Sequence, residues 1–181
     1  MQRHRMVGRR GMLLAMALPA LSGCGFHPLY ASRADGTAAP AAAGLAAINV
    51  GLIPERSGQL LRQALQERFE RNGLAEARRY DLNVSFNVAG AAIAIQPDSS
   101  NAYNRVVGTA SYQLIAQDPN RTVLTTGSAR AVDGLQVFDQ QLFAMQLETE
   151  AVTQRVALAV ADEITQQLAA YFDKQAALAA R

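Results

Sequence analysis

The sequence predicts an α+β fold: a two-layer sandwich in which a four-stranded sheet carries two helices on one face, in the order β-α-β-β-β-α. Three observations predict it. Four segments alternate apolar and polar residues with a period of two, two longer segments repeat apolar residues at helical spacing, and turn-forming residues separate them. Half of the 181 residues are apolar and 18% are charged, which excludes a wholly disordered chain.

The predicted domain covers residues 48–175 and begins with a short strand, which Pro54 ends. A helix follows, with Ser57 as the expected N-cap and Gly73 as the expected C-terminal stop. Its apolar positions recur on one side, so we expect a single buried stripe of Leu61, Ala64, Leu65, Arg68 and Phe69.

Three further strands are predicted after this helix. Apolar residues alternate over 80–88 and then change parity, which predicts a bulge near Ala89-Gly90. The third strand covers about 104–116 and the fourth about 122–132, and Asp118-Pro119-Asn120 between them predicts a hairpin turn.

The last helix is predicted over about 138–174, where neither Gly nor Pro occurs, and residues 176–181 are expected to form a short tail. Its expected buried stripe is Val152, Val156, Val160, Ile164, Leu168 and Phe172.

Residues 1–23 have the features of a bacterial export signal. Four arginines precede an apolar run that is too short to cross a bilayer, and small residues come before Cys24. The tetrapeptide Leu21-Ser22-Gly23-Cys24 resembles a bacterial lipobox, which predicts acylation of Cys24. The alternative is an ordinary secretory signal followed by an unmodified cysteine. Gly25 follows Cys24, which favours the periplasmic face of the outer membrane.

Removal of the signal would leave 13 Lys and Arg against 15 Asp and Glu. This balance excludes a basic nucleic-acid footprint. Residues 24–47 are rich in Ala and broken by Gly and Pro, and we interpret them as the acylated N-terminus and a flexible tether.

Residues for catalysis are scarce. After cleavage His27 is the only histidine and Cys24 the only cysteine, and no nucleophile, phosphate-loop or metal motif occurs. Glu148 and Glu150 point to different sides of a helix, and the Asp98–Asn101 segment lacks the pattern of a calcium loop. We therefore expect no enzyme activity, no metal and no cofactor.

Three arginines are candidates for phosphate recognition, because a guanidinium offers planar bidentate donors. Arg105 opens the third strand, Arg121 lies in the hairpin turn, and Arg130 lies near the end of the fourth strand. If these strands pair, Arg105 and Arg130 approach each other at the end far from Arg121. The alternative is that all three are ordinary solvated arginines.

Several segments together match a known pattern: Cys24-Gly25-Phe26-His27-Pro28-Leu29-Tyr30, Arg56–Arg62, Tyr80–Val84, Arg105 with Ala110–Leu114, and Ala144 with the run Ala161–Leu168. In these segments the chain resembles the LPS-assembly lipoprotein family, LptE. The resemblance covers the whole chain except the Ala-rich tether, and the order and spacing of the motifs together make it specific.

The resemblance implies a lipoprotein that plugs the LptD β-barrel, helps to insert lipopolysaccharide into the outer leaflet, and assists barrel assembly. It implies lipopolysaccharide contact at Arg105. A second basic position of the family corresponds to Met145, which carries no charge. The alternative is an auxiliary lipoprotein of an ABC-type outer-membrane lipid transport system. A third hypothesis is a lipid-anchored hydrolase, but the chain lacks a nucleophile motif for that activity.

Overall fold

The computed structural model describes residues 39–71, 76–94, 102–137 and 142–181. They form an α+β fold with a four-stranded mixed sheet, which confirms the predicted class. The elements are helices α1 (Pro40–Ala46), α2 (Glu55–Glu70) and α3 (Leu142–Ala179), and strands β1 (Ile48–Val50), β2 (Tyr80–Ala94), β3 (Ala102–Ala116) and β4 (Val123–Val137).

The strands lie in the order β1-β2-β3-β4, so neighbours in sequence are neighbours in the sheet. β1 and β2 pair in parallel, and α2 forms the crossover connection between them. The other two strand pairs, β2 with β3 and β3 with β4, are antiparallel. The predicted turn between β3 and β4 is present. Asp118 stabilises it by accepting hydrogen bonds from the backbone N–H and the hydroxyl of Thr122, at 2.9 and 2.8 Å.

The core lies between the sheet and the helices. The predicted stripe of α2 is buried, including Arg68, and so is every residue of the predicted α3 stripe. These side chains pack on Leu82, Val84, Ala110 and Leu114, which point from β2 and β3 towards the helices. Helical spacing in the sequence therefore identified both buried helix faces correctly.

Helix α1 corrects the predicted tether over its last residues. Ala41, Ala42 and Leu45 are at most 4% exposed, so the folded domain starts near residue 39 and not at 48. The physical reason is close packing: a Cβ atom on Gly44 would overlap the ring of Phe172 on α3. Small side chains bury little area each, but they let two backbones approach closely.

The start of α2 also differs from the prediction. The helix begins at Glu55, and Pro54 stands at the N-cap position in place of Ser57. Buried Ile53 packs against Gly58, where a Cβ atom would lie 2.6 Å from Ile53 Cγ2, so the first turn forms over Ile53. The helix ends at Glu70, and the expected stop at Gly73 lies outside the described residues.

Two further boundaries differ. β2 pairs with β3 without interruption through Ala89 and Gly90, and the irregularity lies between Ala92 and Ala94. Small residues fit either face of a sheet, so the parity change in the sequence did not locate the bulge. α3 continues to Ala179, so most of the predicted tail is helical.

Candidate functional site

The sheet has one face that no helix of the described chain covers. Even-numbered residues of β2 and β3 point towards the helices, as the burial of Leu82, Val84, Ala110 and Leu114 shows. The odd-numbered residues of these strands, together with their partners on β4, therefore form the opposite face. We call this surface the open face.

Polar side chains, all but one of them neutral, fill the middle of the open face. The strand register aligns three cross-strand rows: Asn83, Gln113 and Thr126; Ser85, Ser111 and Ser128; and Asn87, Thr109 and Arg130. A shallow depression of about 510 Å³ lies over the first two rows. The surface offers hydrogen-bond donors and acceptors with little charge, which suits a wet, polar contact.

An apolar row follows the polar rows. Ala89 pairs with Val107, and Val107 pairs with Val132, which is 49% exposed. Arg130 on β4 lies in the row on one side of this apolar row, and Arg105 on β3 lies in the row on the other side. The two guanidinium-bearing residues therefore flank a strip of exposed apolar surface. The arrangement can contact an amphiphile that carries both anionic and apolar groups.

The register corrects the expected closeness of Arg105 and Arg130. Both residues are exposed on the open face, but Arg105 lies opposite Gly134, whereas Arg130 lies opposite Thr109. Four residues separate these positions, which is roughly 13 Å along a strand. The structure gives neither guanidinium an ion-pair partner within the described ranges. Their role in binding stays a prediction.

Arg121 occupies the other end of the sheet and has a partner. Its guanidinium lies 3.2 Å from Asp81 Oδ2, and its φ of 48° places it in the left-handed region of the turn. Hydrogen bonds from Asn49 and Gln117, with the charge of Arg121, hold the pKa of Asp81 below its usual value. Arg121 thus belongs to a polar cluster at the turn and does not join Arg105 and Arg130.

Met145 lies on α3, which packs against the opposite face of the sheet from Arg105. It is half-buried, and its carbonyl accepts a hydrogen bond from the hydroxyl of Thr149. The position that the family resemblance associates with a second cation therefore carries a methionine away from the open face.

Of the two helix carboxylates considered in the sequence, Glu150 lies 3.7 Å from Arg56. Two further carboxylates of α3 have structural partners: Asp162 lies 2.6 Å from Arg68, and Glu163 accepts the backbone N–H of Arg130. Within the described part of the chain, no cluster of three His, Cys, Asp or Glu residues could hold a metal ion. Cys24, His27 and the Asp98–Asn101 segment lie outside the described residues.

Sequence reasoning missed the polar contacts that join α3 to the outer edge of β4. Glu163 accepts the N–H of Arg130 at 3.0 Å, and the Gln167 side chain donates to the carbonyl of Ser128 at 3.0 Å. Tyr112 donates its hydroxyl hydrogen to Gln167 at 2.8 Å. The spacing of Glu163 and Gln167 places both on one helix face, but only the fold shows that this face meets the strand edge.

The apolar row was also missed. Its signal was present, because Val107 and Val132 occupy strand positions where the alternation calls for polar residues.

The helices of the described chain contain no segment long and apolar enough to cross a membrane. No protein-family model matches the chain, and no curated protein matches it in sequence.

Solved structures of bacterial lipoproteins share the fold. A lipoprotein from Caulobacter crescentus CB15 is 19% identical, with a TM-score of 0.57 over 73% of this chain and 95% of that one. The rare lipoprotein B from Shewanella oneidensis is 14% identical, with a TM-score of 0.52 over 68% and 94%. A minor lipoprotein from Acinetobacter baumannii is 13% identical, with a TM-score of 0.50 over 68% and 90%. The chain therefore has a fold that bacterial lipoproteins use.

Proposed function

We propose that this chain is an outer-membrane lipoprotein, anchored at Cys24 on the periplasmic face, that plugs an LptD-like β-barrel and assists lipopolysaccharide insertion into the outer leaflet. In this role it also supports assembly of the barrel. The observation that carries the proposal is the open face, where Arg105 and Arg130 flank the apolar row of Val107 and Val132 on a fold used by bacterial lipoproteins. The lipobox-like segment before Cys24 supports the anchor.

The polar rows of the open face support the plug role. The lumen of an outer-membrane barrel is lined by polar residues, whereas its apolar residues face the lipid. A protein inside the lumen therefore meets polar side chains and water. The neutral Asn, Ser, Thr and Gln side chains of β2, β3 and β4 can make such contacts without burying unpaired charge.

The two arginines and the apolar row support the lipopolysaccharide role. Lipid A is an amphiphile with acyl chains, and its phosphates are suitable acceptors for guanidinium groups. Arg105 is exposed and carries the proposed contact, and Arg130 lies about 13 Å farther along the sheet. Separate phosphates of one ligand, or phosphates of neighbouring ligands, could occupy the two positions. Arg121, which pairs with Asp81, contributes less.

Photocrosslinking in native membranes tests the proposal. A photoreactive residue replaces in turn Ser111, Thr126 and Ser128 in the polar rows, and the captured proteins are identified by mass spectrometry. We expect a large β-barrel protein at these positions. Capture of an inner-membrane transporter would support the ABC-type lipid transport system instead. Capture of neither, from a chain that is acylated and correctly located, would contradict the plug role.

A further inference from the structure

One end of the domain carries an aromatic cluster beside helix α1. The rings of Tyr80 and Tyr171 lie 5.3 and 5.4 Å from the ring of Phe172, measured between centroids. Phe172 packs against Gly44 of α1, and the guanidinium of Arg79 lies 5.7 Å from the ring centroid of Tyr80. Phe172 is buried, whereas the two tyrosines are only half-buried. The cluster therefore has a buried base and a partly exposed rim.

The last turns of α3 extend this rim with a cationic and an apolar side chain. Lys174 and Leu178 follow Tyr171 at intervals of three and seven residues, so the three side chains share one face of the helix. Leu178 is 53% exposed, and Lys174 is also exposed. Asp173 projects from a different side of α3. We call Arg79, Tyr171, Lys174 and Leu178 the aromatic surface.

The cations of the aromatic surface are available to an anionic partner. Within the described ranges, neither Arg79 nor Lys174 forms a salt bridge. Arg78 differs from its neighbour, because it pairs with Glu70 at 2.7 Å and donates to two backbone carbonyls. Residues 174–181 contain two basic residues and no acidic one. The surface is thus cationic as well as aromatic and apolar.

This combination suits the headgroup region of a phospholipid bilayer. Tyrosine rings are amphipathic and concentrate at the interface between membrane and water. Lys and Arg side chains lay their methylene groups along apolar surface, and anionic lipids attract their charges. An exposed leucine between such side chains can enter the boundary of the acyl chains. The polar lumen of a β-barrel offers no comparable site for Leu178.

The path of the chain brings this surface to the membrane. The segment from Cys24 enters the fold at α1, and the carbonyl of Ala47 at the end of α1 accepts the backbone N–H groups of Arg79 and Tyr80, at 2.9 and 3.2 Å. Helix α1 has 7 residues, so it is roughly 10 Å long. The point where the proposed anchor segment meets the fold is therefore close to the aromatic surface.

We propose that the aromatic surface docks on the phospholipid leaflet that holds the acyl chains of Cys24. The inference rests on the anchor of the proposed function and adds the side of the domain that faces the membrane. Because the anchor already holds the domain there, a weak second contact acts at high effective concentration and fixes the orientation.

The docked orientation is compatible with the proposed lipopolysaccharide contact. Arg105 lies opposite Ala91 on β2, and Ala91 is roughly 36 Å along the strand from Tyr80. Docking and the contact at Arg105 therefore use opposite ends of one chain, and both can be made at the same time.

Fluorescence quenching in reconstituted vesicles tests the docking. The acylated chain is purified without its barrel partner and placed in vesicles of phosphatidylethanolamine and phosphatidylglycerol that contain lipids with nitroxide groups near the headgroup. A fluorescent label is attached at Leu178→Cys or, as the matched control, at Leu147→Cys. These leucines are 53% and 55% exposed and lie towards opposite ends of α3. We expect quenching about threefold stronger, or more, at Leu178→Cys. The unsubstituted chain controls for labelling at Cys24.

Charge variants separate docking from the apolarity of the label itself. Arg79→Glu and Lys174→Glu should each lower the quenching at Leu178→Cys about twofold or more, because attraction to anionic headgroups becomes repulsion. Arg56→Glu makes the same charge change at the exposed start of α2 and should leave the quenching unchanged. Phosphatidylcholine in place of phosphatidylglycerol should lower it as the first two variants do. Thermal unfolding verifies that each variant folds.

Three outcomes would overturn the docking. The first is equal quenching at the two labelled positions, and the second is quenching at Leu178→Cys that responds neither to the charge variants nor to the lipid charge. The third is a photoreactive residue at position 178 that captures a protein and no lipid in native membranes.

These outcomes leave the proposed anchor and the plug role intact, because the mass of the purified chain establishes acylation before the vesicles are made. An unacylated chain would instead contradict the anchor, and the docking with it.

Discussion

Arg68 and Asp162 connect the last turn of α2 to the middle of α3, with Arg68 Nε 2.6 Å from Asp162 Oδ1. The two partners differ in exposure, since the arginine side chain is 9% exposed and the aspartate side chain 59% exposed. Arg68 also donates to the carbonyls of Ala64 and Leu158. The arginine is therefore a buried hydrogen-bonding group, and the aspartate is a partner that water can replace.

This difference predicts unequal effects of substitution. Arg68→Ala should lower the free energy of unfolding by about 2–4 kcal/mol, because it leaves a cavity and an unsatisfied carbonyl between the helices. Asp162→Ala should cost less, about 1 kcal/mol, because the guanidinium keeps its two carbonyl acceptors. Urea denaturation of both variants measures the comparison. An Asp162→Ala variant at least as destabilised as Arg68→Ala would contradict it.

Gly108 and Gly90 form a matched pair for packing. A Cβ atom at Gly108 would overlap Val156 on α3, whereas one at Gly90 would meet open space. Gly108→Ala should lower the free energy of unfolding by about 1–3 kcal/mol, because α3 must move away from the sheet. Gly90→Ala should change it by less than about 0.5 kcal/mol. Equal thermal stability of the two variants would show that the helix does not pack this closely on β3.

Asp81 predicts an acid-dependent loss of stability. The pKa of its carboxyl is lowered mainly by the hydrogen bond from Asn49, then by Gln117, and further by Arg121. A group with a depressed folded pKa stabilises the fold above its unfolded pKa, and the effect is lost as the pH falls through the folded value. Below the usual pKa of 3.8, the free energy of unfolding should therefore decrease. Asp81→Asn should reduce this decrease in denaturation measured across that range, and an unchanged profile would exclude Asp81 as a contributor.

Arg105→Glu tests the lipopolysaccharide contact. The substitution removes a charge-assisted hydrogen bond and adds repulsion, so we expect binding to weaken about tenfold or more. Arg56→Glu makes the same charge change at an exposed position early in α2 and should leave binding unchanged. A binding assay with purified lipopolysaccharide measures both variants, with thermal melting to check the fold. Wild-type affinity in Arg105→Glu would make Arg105 an ordinary solvated arginine.

Cys24→Ser tests the anchor. A hydroxyl is a much weaker nucleophile than a thiolate, so acylation should be lost and an uncleaved or mislocated precursor should accumulate. Metabolic labelling with a radioactive fatty acid measures this. Equal labelling of the wild type and Cys24→Ser would place the lipid elsewhere or exclude it.

Spacing in the sequence was sufficient to predict both long helices, because large apolar residues such as Leu61 and Ile164 recur at helical intervals and are buried. It was not sufficient for α1, where Gly44 lies against the ring of Phe172 and most of the buried residues are alanines. The distance between Arg105 and Arg130 also could not be predicted from the sequence. It depends on pairing register, which an irregularity between Leu114 and Ile115 shifts by one residue.

Helix α1 sets how far the domain can stand from its proposed anchor. A tether from Cys24 to residue 47 would allow a span of roughly 80 Å when fully extended. Because the folded unit starts near residue 39, about 15 residues remain, and their greatest extension is roughly 50 Å. In the proposed function, the acyl chains at Cys24 are therefore joined to the folded domain by a segment of limited length. An anchored copy can therefore reach only partners and ligands close to its own membrane.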